Sequence, residues 1–270
     1  MWPIWIGATI FGRAYPLDEA SNAILFNTQQ LYQFPLGVFG IAVATAVFPM
    51  LARYANEDSP FVETLRRGLR LSFFIGLPAS IGLILVRHDL TAVLYGHGKA
   101  GFSPEGVARS AAVLLGFAPG VWAYSLNHVL TRAFYARGDT DTPMRISIAM
   151  VGLNLVLNLT LIWRFREAGL AMATSTTAIV QCAVLFLLLR GRLAGAIFDR
   201  SAVHGAVRIV AATAFMAAAV LTAQFLLGPR QGWWGPLLAV AISTLTGGVT
   251  FLAASRLLRI EEFRWLLHRG

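Results

Sequence analysis

Long apolar runs separated by short polar breaks occupy almost the whole chain, and the length of those runs decides its class. Predominantly apolar stretches lie at residues 21–51, 71–86, 107–135, 143–163, 170–189, 209–227 and 234–255. A helix of about 20 apolar residues crosses a hydrocarbon core of about 30 Å, and a helix satisfies its own backbone hydrogen bonds where no water is present. The pattern predicts an all-α, polytopic membrane protein with about seven full spans. The opening MWPIWIGATIFG is too short to cross and has neither a basic start nor a small-residue cleavage site. It reads as the end of a truncated helix, followed by a polar outer connection that ends near residue 20.

One stretch organises the rest: QQLYQFPLGVFGIAVATAVFP, residues 29–49. Three amides, Gln29, Gln30 and Gln33, precede Pro35; Gly37, Gly40 and the alanines that follow keep one side small, and Pro49 closes the run. Proline removes a helical hydrogen bond and clashes with the carbonyl four residues back. Inside a membrane it is tolerated where neighbouring helices or water satisfy the freed groups. The expectation is a kinked, closely packed span whose amides face protein or a water-filled cavity.

The breaks carry local signals of their own. At residues 53–70, Ser59 before Pro60 marks a helix start, and Phe61, Leu65 and Leu69 set against Arg66, Arg67 and Arg70 predict a short interfacial amphipathic helix. The loop at 87–105 contains GHGKAG, a literal G-x-G-x-x-G, but it joins two apolar spans instead of opening a βαβ unit, so nucleotide binding is rejected. Ser103-Pro104 reads as the next helix start. Gly116, Pro119 and Gly120 form a small-residue contact face. ARGDTDTP, residues 136–143, is a tight turn with Thr142 as cap and Pro143 opening the next span. Asn154 and Asn158, one turn apart, share a face and favour interhelical hydrogen bonds. The last two spans are more uniformly apolar and lipid-facing, with Trp233 and Trp234 at the interface.

Composition narrows the function. The 270 residues are 57% hydrophobic and 13% charged, where soluble proteins carry about a quarter charged residues. The net charge of +9 would suit nucleic acid, but the basic residues stand singly or in pairs between spans, as topology signals and anionic-lipid contacts do. Sorting the 22 lysines and arginines by alternating loops puts fifteen on one side and seven on the other. The richer side, which includes the C-terminus, is expected in the cytoplasm. Cys182 is the single cysteine, lying in an apolar run, so an intramolecular disulfide and a thiolate metal site are excluded. The five histidines are dispersed and no nucleophile–base pair or metal-ligand spacing occurs, so no catalytic residue, metal or cofactor is expected. His128 and Arg132, at the far end of the third span, are candidates for a gate or for cytoplasmic contacts.

LYQFPLGVFGIAVATAVFP (31–49), LYGHGKAGFSPE (94–105) and AFYARGDTDTP (133–143) together resemble, in order and spacing, the MurJ (MviN) lipid II flippase family of the multidrug and polysaccharide exporter superfamily. The resemblance implies the second lobe, residues 21–190, of a fourteen-helix transporter. A cytoplasmic basic loop (191–208), two extra helices that hold a lipid tail (209–255) and a cytoplasmic tail (256–270) follow. It implies an undecaprenyl-linked peptidoglycan precursor as cargo, membrane lipids and an amino-terminal lobe as partners, and a bacterial inner-membrane location. By resemblance, Asn27, Gln29, Gln30 and Gln33 line the cavity, and Pro35, Gly37, Gly40 and Pro49 shape the bend. The family usually carries arginine where Gln30 stands and often a carboxylate at Gln33. Exporters of other lipid-linked saccharides and a non-transporting helix bundle stay open as alternatives.

Overall fold

The structure, a computed structural model, describes residues 7–10, 12–97, 101–193, 200–228, 232 and 234–263. The first six residues, the middle of the GHGKAG loop, residues 194–199 of the basic loop, Trp233 and the end of the tail lie outside the described residues. The first described elements are a short antiparallel pair, β1 (Thr9–Ile10) and β2 (Arg13–Ala14), in place of helix at the described end of the opening stretch.

The long first span is three pieces in series. Helix α1 (Glu19–Pro35) starts at a capping box: the Asp18 carboxylate accepts from Ser21 N–H at 3.0 Å, and the Asp18 N–H donates to Ser21 Oγ at 3.1 Å. After Pro35 the helix widens into a π segment, Leu36–Ile41, the expected response to a missing N–H. It resumes as α2 (Ala42–Arg53). Pro49 lies inside α2 and does not close it; the helix runs one more turn, to Arg53.

Helix α3 (Asp58–Tyr95) has 38 residues, about 57 Å at 1.5 Å per residue. It exceeds the hydrocarbon thickness and absorbs both the predicted interfacial helix and the following span. Ser59-Pro60 is not its start: Glu57 is the cap, and Pro60 fits the first turn because N–H groups there have no intrahelical acceptor. The third span is α4 (Pro104–Phe117), capped by Ser103 as predicted, a 3₁₀ turn at Ala118–Gly120, and α5 (Val121–Ala136).

Helix α6 (Asp141–Arg192) spans 52 residues but folds back at Arg166, whose φ of 53° and ψ of −134° are non-helical. Asn154 Nδ2 donates to Thr177 Oγ1 at 3.4 Å and Gln181 Nε2 to Ser147 Oγ at 3.3 Å, bonds that only two antiparallel arms can make. Gly169 sits in the corner, where a β-carbon would lie 2.5 Å from the Leu161 carbonyl oxygen. The predicted fourth and fifth spans are therefore a helical hairpin. Thr142 does not cap it; Asp139 Oδ1 accepts from Thr142 N–H at 2.9 Å, and the Thr142 hydroxyl accepts from Arg192. α7 (Arg200–Leu227) begins well before the expected residue 209, and α8 (Trp234–Leu257) follows it; among the described residues six helices are long and apolar enough to cross a membrane, one of them the folded-back α6 with its two arms.

The spans are held by close backbone contact. Gly116 and Gly120 face Ala171 and Ser175, both pairs four residues apart: a β-carbon at Gly116 would lie 2.7 Å from Ala171 Cβ, and one at Gly120 would lie 2.7 Å from Ser175 Oγ. Ser175 Oγ is 2.7 Å from the Gly116 carbonyl oxygen and 2.9 Å from that of Phe117, carbonyls that the 3₁₀ turn and Pro119 draw away from regular helical pairing. Exposed Ile148, Val151, Leu155, Leu159, Phe215 and Val249 make the outer surface apolar. Overpacking costs about 1–3 kcal/mol, so Gly120→Leu is expected to lower the thermal midpoint in detergent. Gly152→Leu, where a β-carbon meets nothing within 4 Å, should leave it unchanged; equal midpoints for the two variants would refute the contact.

Candidate functional site

The kinked span turns one face to the bundle and leaves the other open. Ile24, Thr28 and Tyr32 are buried, and Tyr32 stacks on Phe117 with ring centroids 4.5 Å apart. On the open side the amides predicted to line a cavity separate into three positions. Gln29 and Gln33, one turn apart, share one flank, the first half-buried and the second exposed. Gln30 lies on the other flank beside Phe34, at a groove. Asn27 Nδ2 donates to the Ala23 carbonyl one turn earlier at 2.9 Å, and the Asn27 backbone carbonyl accepts from Tyr95 Oη–H at 2.7 Å.

Below Pro35 the glycines differ in role. Gly37 has open space where a β-carbon would sit, whereas one at Gly40 would lie 3.1 Å from Ser125 Oγ on α5. From the other side a β-carbon at Gly76 of α3 would lie 2.9 Å from Trp122 Cα and 3.4 Å from Ser125 Oγ. The π segment, α3 and α5 thus meet at one buried serine, and only small residues permit that approach. Further along α5, Arg132 places its guanidinium 5.2 Å from the Phe48 ring centroid on α2, with half-buried His128 one turn earlier.

The groove beside Gln30 encloses about 790 Å³ and is bounded by Phe34 and Pro35, by Leu83 and Leu90 of α3, and by Val220 and Gly247 of α7 and α8. Gln224 of α7 joins two of those walls, donating to the Leu85 carbonyl at 3.1 Å and lying 3.3 Å from Ser243 Oγ. Among the described residues no group of three or more His, Cys, Asp or Glu side chains is arranged to hold a metal.

Two ion clusters at opposite ends of the bundle were not recognised in the sequence. At one end Arg109 bridges Asp18 (2.8 and 2.9 Å) and Glu167 (2.5 Å), and Arg166 reaches Asp18 and the Pro16 carbonyl, each at 2.9 Å. These contacts hold Arg166 in its strained backbone conformation. At the other end Arg70 pairs with Glu262 and Glu261, Arg137 with Asp58, and Arg192 with Asp139. Glu167 is 3% exposed and Glu262 0%. Their partners are 58 and 192 residues away, so only folding brings them together.

These features describe a polytopic helical membrane protein with an open kinked span beside an apolar groove. A flippase structure described as lipid II flippase MurJ in an inward closed conformation superposes with a TM-score of 0.75 at 21% identity, over 93% of this chain and 49% of that one. A MATE crystal structure superposes at 0.56 and 17% identity, over 97% of this chain and 62% of that one. The sequence profile described as Lipid II flippase MurJ matches residues 7–245, and the chain belongs to that family. A probable lipid II flippase MurJ of Vibrio cholerae is 34% identical over 89% of this chain and 45% of its own length; one of Thermotoga maritima is 32% identical over 94% and 49%. The chain spans about half the length of these curated relatives, which are named as flippases, not enzymes.

The Arg109 guanidinium, helped by Ser21 and Arg166, holds the Asp18 carboxyl well below the usual carboxylate range against a smaller opposing effect of burial. A carboxylate with a depressed folded-state pKa contributes stability in full above its unfolded value, about 3.9, and loses it as pH falls through the folded value. The thermal midpoint in detergent is therefore expected to drop below pH 4 in the wild type. Asp18→Asn should start lower at pH 7 and show a shallower acid decline; parallel curves for the two would refute the assignment.

Proposed function

We propose that this chain forms the carboxy-terminal part of a flippase that moves the lipid-linked peptidoglycan precursor, lipid II, across the bacterial inner membrane by alternating access, in service of cell-wall synthesis. The observation that carries this reading is the open face of α1 and α2, where Gln29 and Gln33 lie on one flank and an apolar groove on the other. A lipid-linked saccharide needs both: hydrogen-bonding groups for a polar head and an apolar path for an undecaprenyl tail. Gln30 stands where the two meet. α7 and α8 supply the outer walls of the groove and act as the tail-holding pair.

Alternating access rocks one repeat against another around a central site, so the open face is completed by an amino-terminal lobe in the same or another chain. Pro35 and the π segment provide the bend, Gly40 its bearing on Ser125, and His128 and Arg132 border the end that opens toward the cytoplasm. The arginine-rich end faces the cytoplasm, with the C-terminus. Ion pairs within each end group, Arg70–Glu262 and Arg192–Asp139 at one, Arg109–Asp18 at the other, support sorting the charges into two sides. A second reading, export of another lipid-linked saccharide, is favoured by the amides at Gln30 and Gln33, which donate hydrogen bonds without the added strength that charge gives.

Depleting the polypeptide that carries this chain in its own cells is expected to trap lipid II in the inner leaflet, and re-expression should restore export. A neutral hydrogen bond is worth about 0.5–1.5 kcal/mol, so Gln33→Ala should lower export by a few-fold to about tenfold. Undisturbed lipid II distribution after depletion would remove this cargo and leave the second reading. For orientation, a reporter fused after Gly270 is expected to be active only in its cytoplasmic form; activity confined to the outer side would reverse the topology.

A further inference from the structure

Among the described residues three glycines line the groove beside Gln30: Gly82 on α3, and Gly247 and Gly248 on α8. They differ in what a side chain would meet. A β-carbon at Gly247 would lie 3.2 Å from Val220 Cγ2 and 3.6 Å from Met216 Cγ, so this glycine lets α8 close on α7. At Gly82 and Gly248 a β-carbon would meet nothing within 4 Å. Both stand inside a helix, and neither has the positive φ that favours glycine. Glycine weakens a helix relative to alanine because it surrenders more backbone freedom on folding. Neither packing nor backbone geometry requires it at these two positions; what they provide is the open space on the groove side.

The walls around that space are tied to one another. Gln224 Nε2 on α7 reaches the Leu85 carbonyl of α3 at 3.1 Å and Ser243 Oγ of α8 at 3.3 Å. Such bonds hold in hydrocarbon because the alternative is an unsatisfied amide. Toward the other end of the helices Phe74 of α3 meets Phe251 of α8 with ring centroids 5.0 Å apart. With α8 held to α3 at both places, a larger side chain at Gly82 or Gly248 takes its volume from the groove instead of pushing the walls apart. Hydrocarbons differ in the room they need: a polyprenyl chain carries methyl branches along its length and is thicker than a straight acyl chain. Open space on two separate walls suits the branched chain.

We propose that Gly82 and Gly248 are specificity-determining residues of the groove, their missing side chains setting its calibre for a methyl-branched polyprenyl tail over a straight acyl chain. The inference rests on the reading of the groove as the seat of the cargo's tail. It adds to that reading the two positions that decide which hydrocarbon enters.

Native mass spectrometry of the complete polypeptide that carries this chain, titrated with undecaprenyl phosphate, tests this. Overfilling an occupied space costs about a factor of ten in binding, so Gly82→Leu and Gly248→Leu should each weaken retention about tenfold. Gly152→Leu, equally open but away from the groove, should leave retention unchanged. The thermal midpoint in detergent should not fall in Gly82→Leu or Gly248→Leu, whereas Gly247→Leu, which meets Val220, should lower it. Phytanyl phosphate and hexadecyl phosphate have main chains of equal length and differ in methyl branches. Wild type should favour the branched one, and the paired variant Gly82→Ala, Gly248→Ala should shift the preference toward the straight one. Undiminished retention in both leucine variants, an unchanged preference in the alanine pair, or a midpoint lowered in both leucine variants as far as in Gly247→Leu would each overturn the proposal and leave the tail reading standing. Wild type that retains no undecaprenyl phosphate would remove the tail reading, and this proposal with it.

Discussion

Lipid is as apolar as a leucine side chain, so helices in a bilayer gain little by hiding such side chains from it and associate where their backbones come close. α5 is where that requirement concentrates. Its Ser125 is approached from one side by Gly40 of the π segment and from the other by Gly76 of α3. Just before it in the chain, Gly116 and Gly120 bring the α4–α5 span against Ala171 and Ser175 of the α6 hairpin. The kinked span, the long α3 and the hairpin are thus positioned through contacts that side chains larger than serine would prevent. The irregular backbone at Pro35 and Pro119 occurs next to these contacts, and beside Pro119 the Ser175 hydroxyl lies close enough to the Gly116 and Phe117 carbonyls to donate to them.

Charge does the complementary work at the ends. Arg109 ties the entry to α1 to the corner of the α6 hairpin, and Arg70 ties the segment after α8 to α3 and α7. Two of the carboxylates in these clusters are withdrawn from water almost completely, and removing one partner of such a pair costs about 3–5 kcal/mol because the other charge is left buried. The clusters pin helix ends, while the middle of the kinked span, with Gly37 unpacked, is held at fewer points.

The apolar spaces follow from the same economy of contact. α7 and α8 pack chiefly on α3, one end of which borders the groove beside Gln30 and the other a second apolar recess below Arg66 and Arg70. In the reading proposed here the first receives the tail of the cargo. The difference between them is chemical: the groove borders uncharged amides, and the recess borders fixed guanidinium groups.

Class, helix number and the special character of residues 29–49 were legible in the sequence, because the hydrocarbon thickness translates directly into run length and because proline and glycine act on their own backbone. Local signals succeeded where they were local, as at Ser103-Pro104 and the Gly116–Gly120 face. They failed where neighbouring elements merged or where caps compete: α3 runs unbroken through Ser59-Pro60, and α6 starts after Thr140, with Asp139 before it accepting from the Thr142 N–H. The positions of the amides were only half legible. Helical spacing puts Gln29 with Gln33 and apart from Gln30, but that Gln30 borders α7 and α8, and that the Asn27 backbone carbonyl accepts from Tyr95, depended on how the spans pack. The ion clusters were not legible at all, since Arg109 with Glu167 and Arg70 with Glu262 are far apart in the chain. The sequence by itself determined what must lie in the membrane and where one span must bend; the tertiary structure alone decided which polar groups are neutralised, because pairing is a property of distance in space.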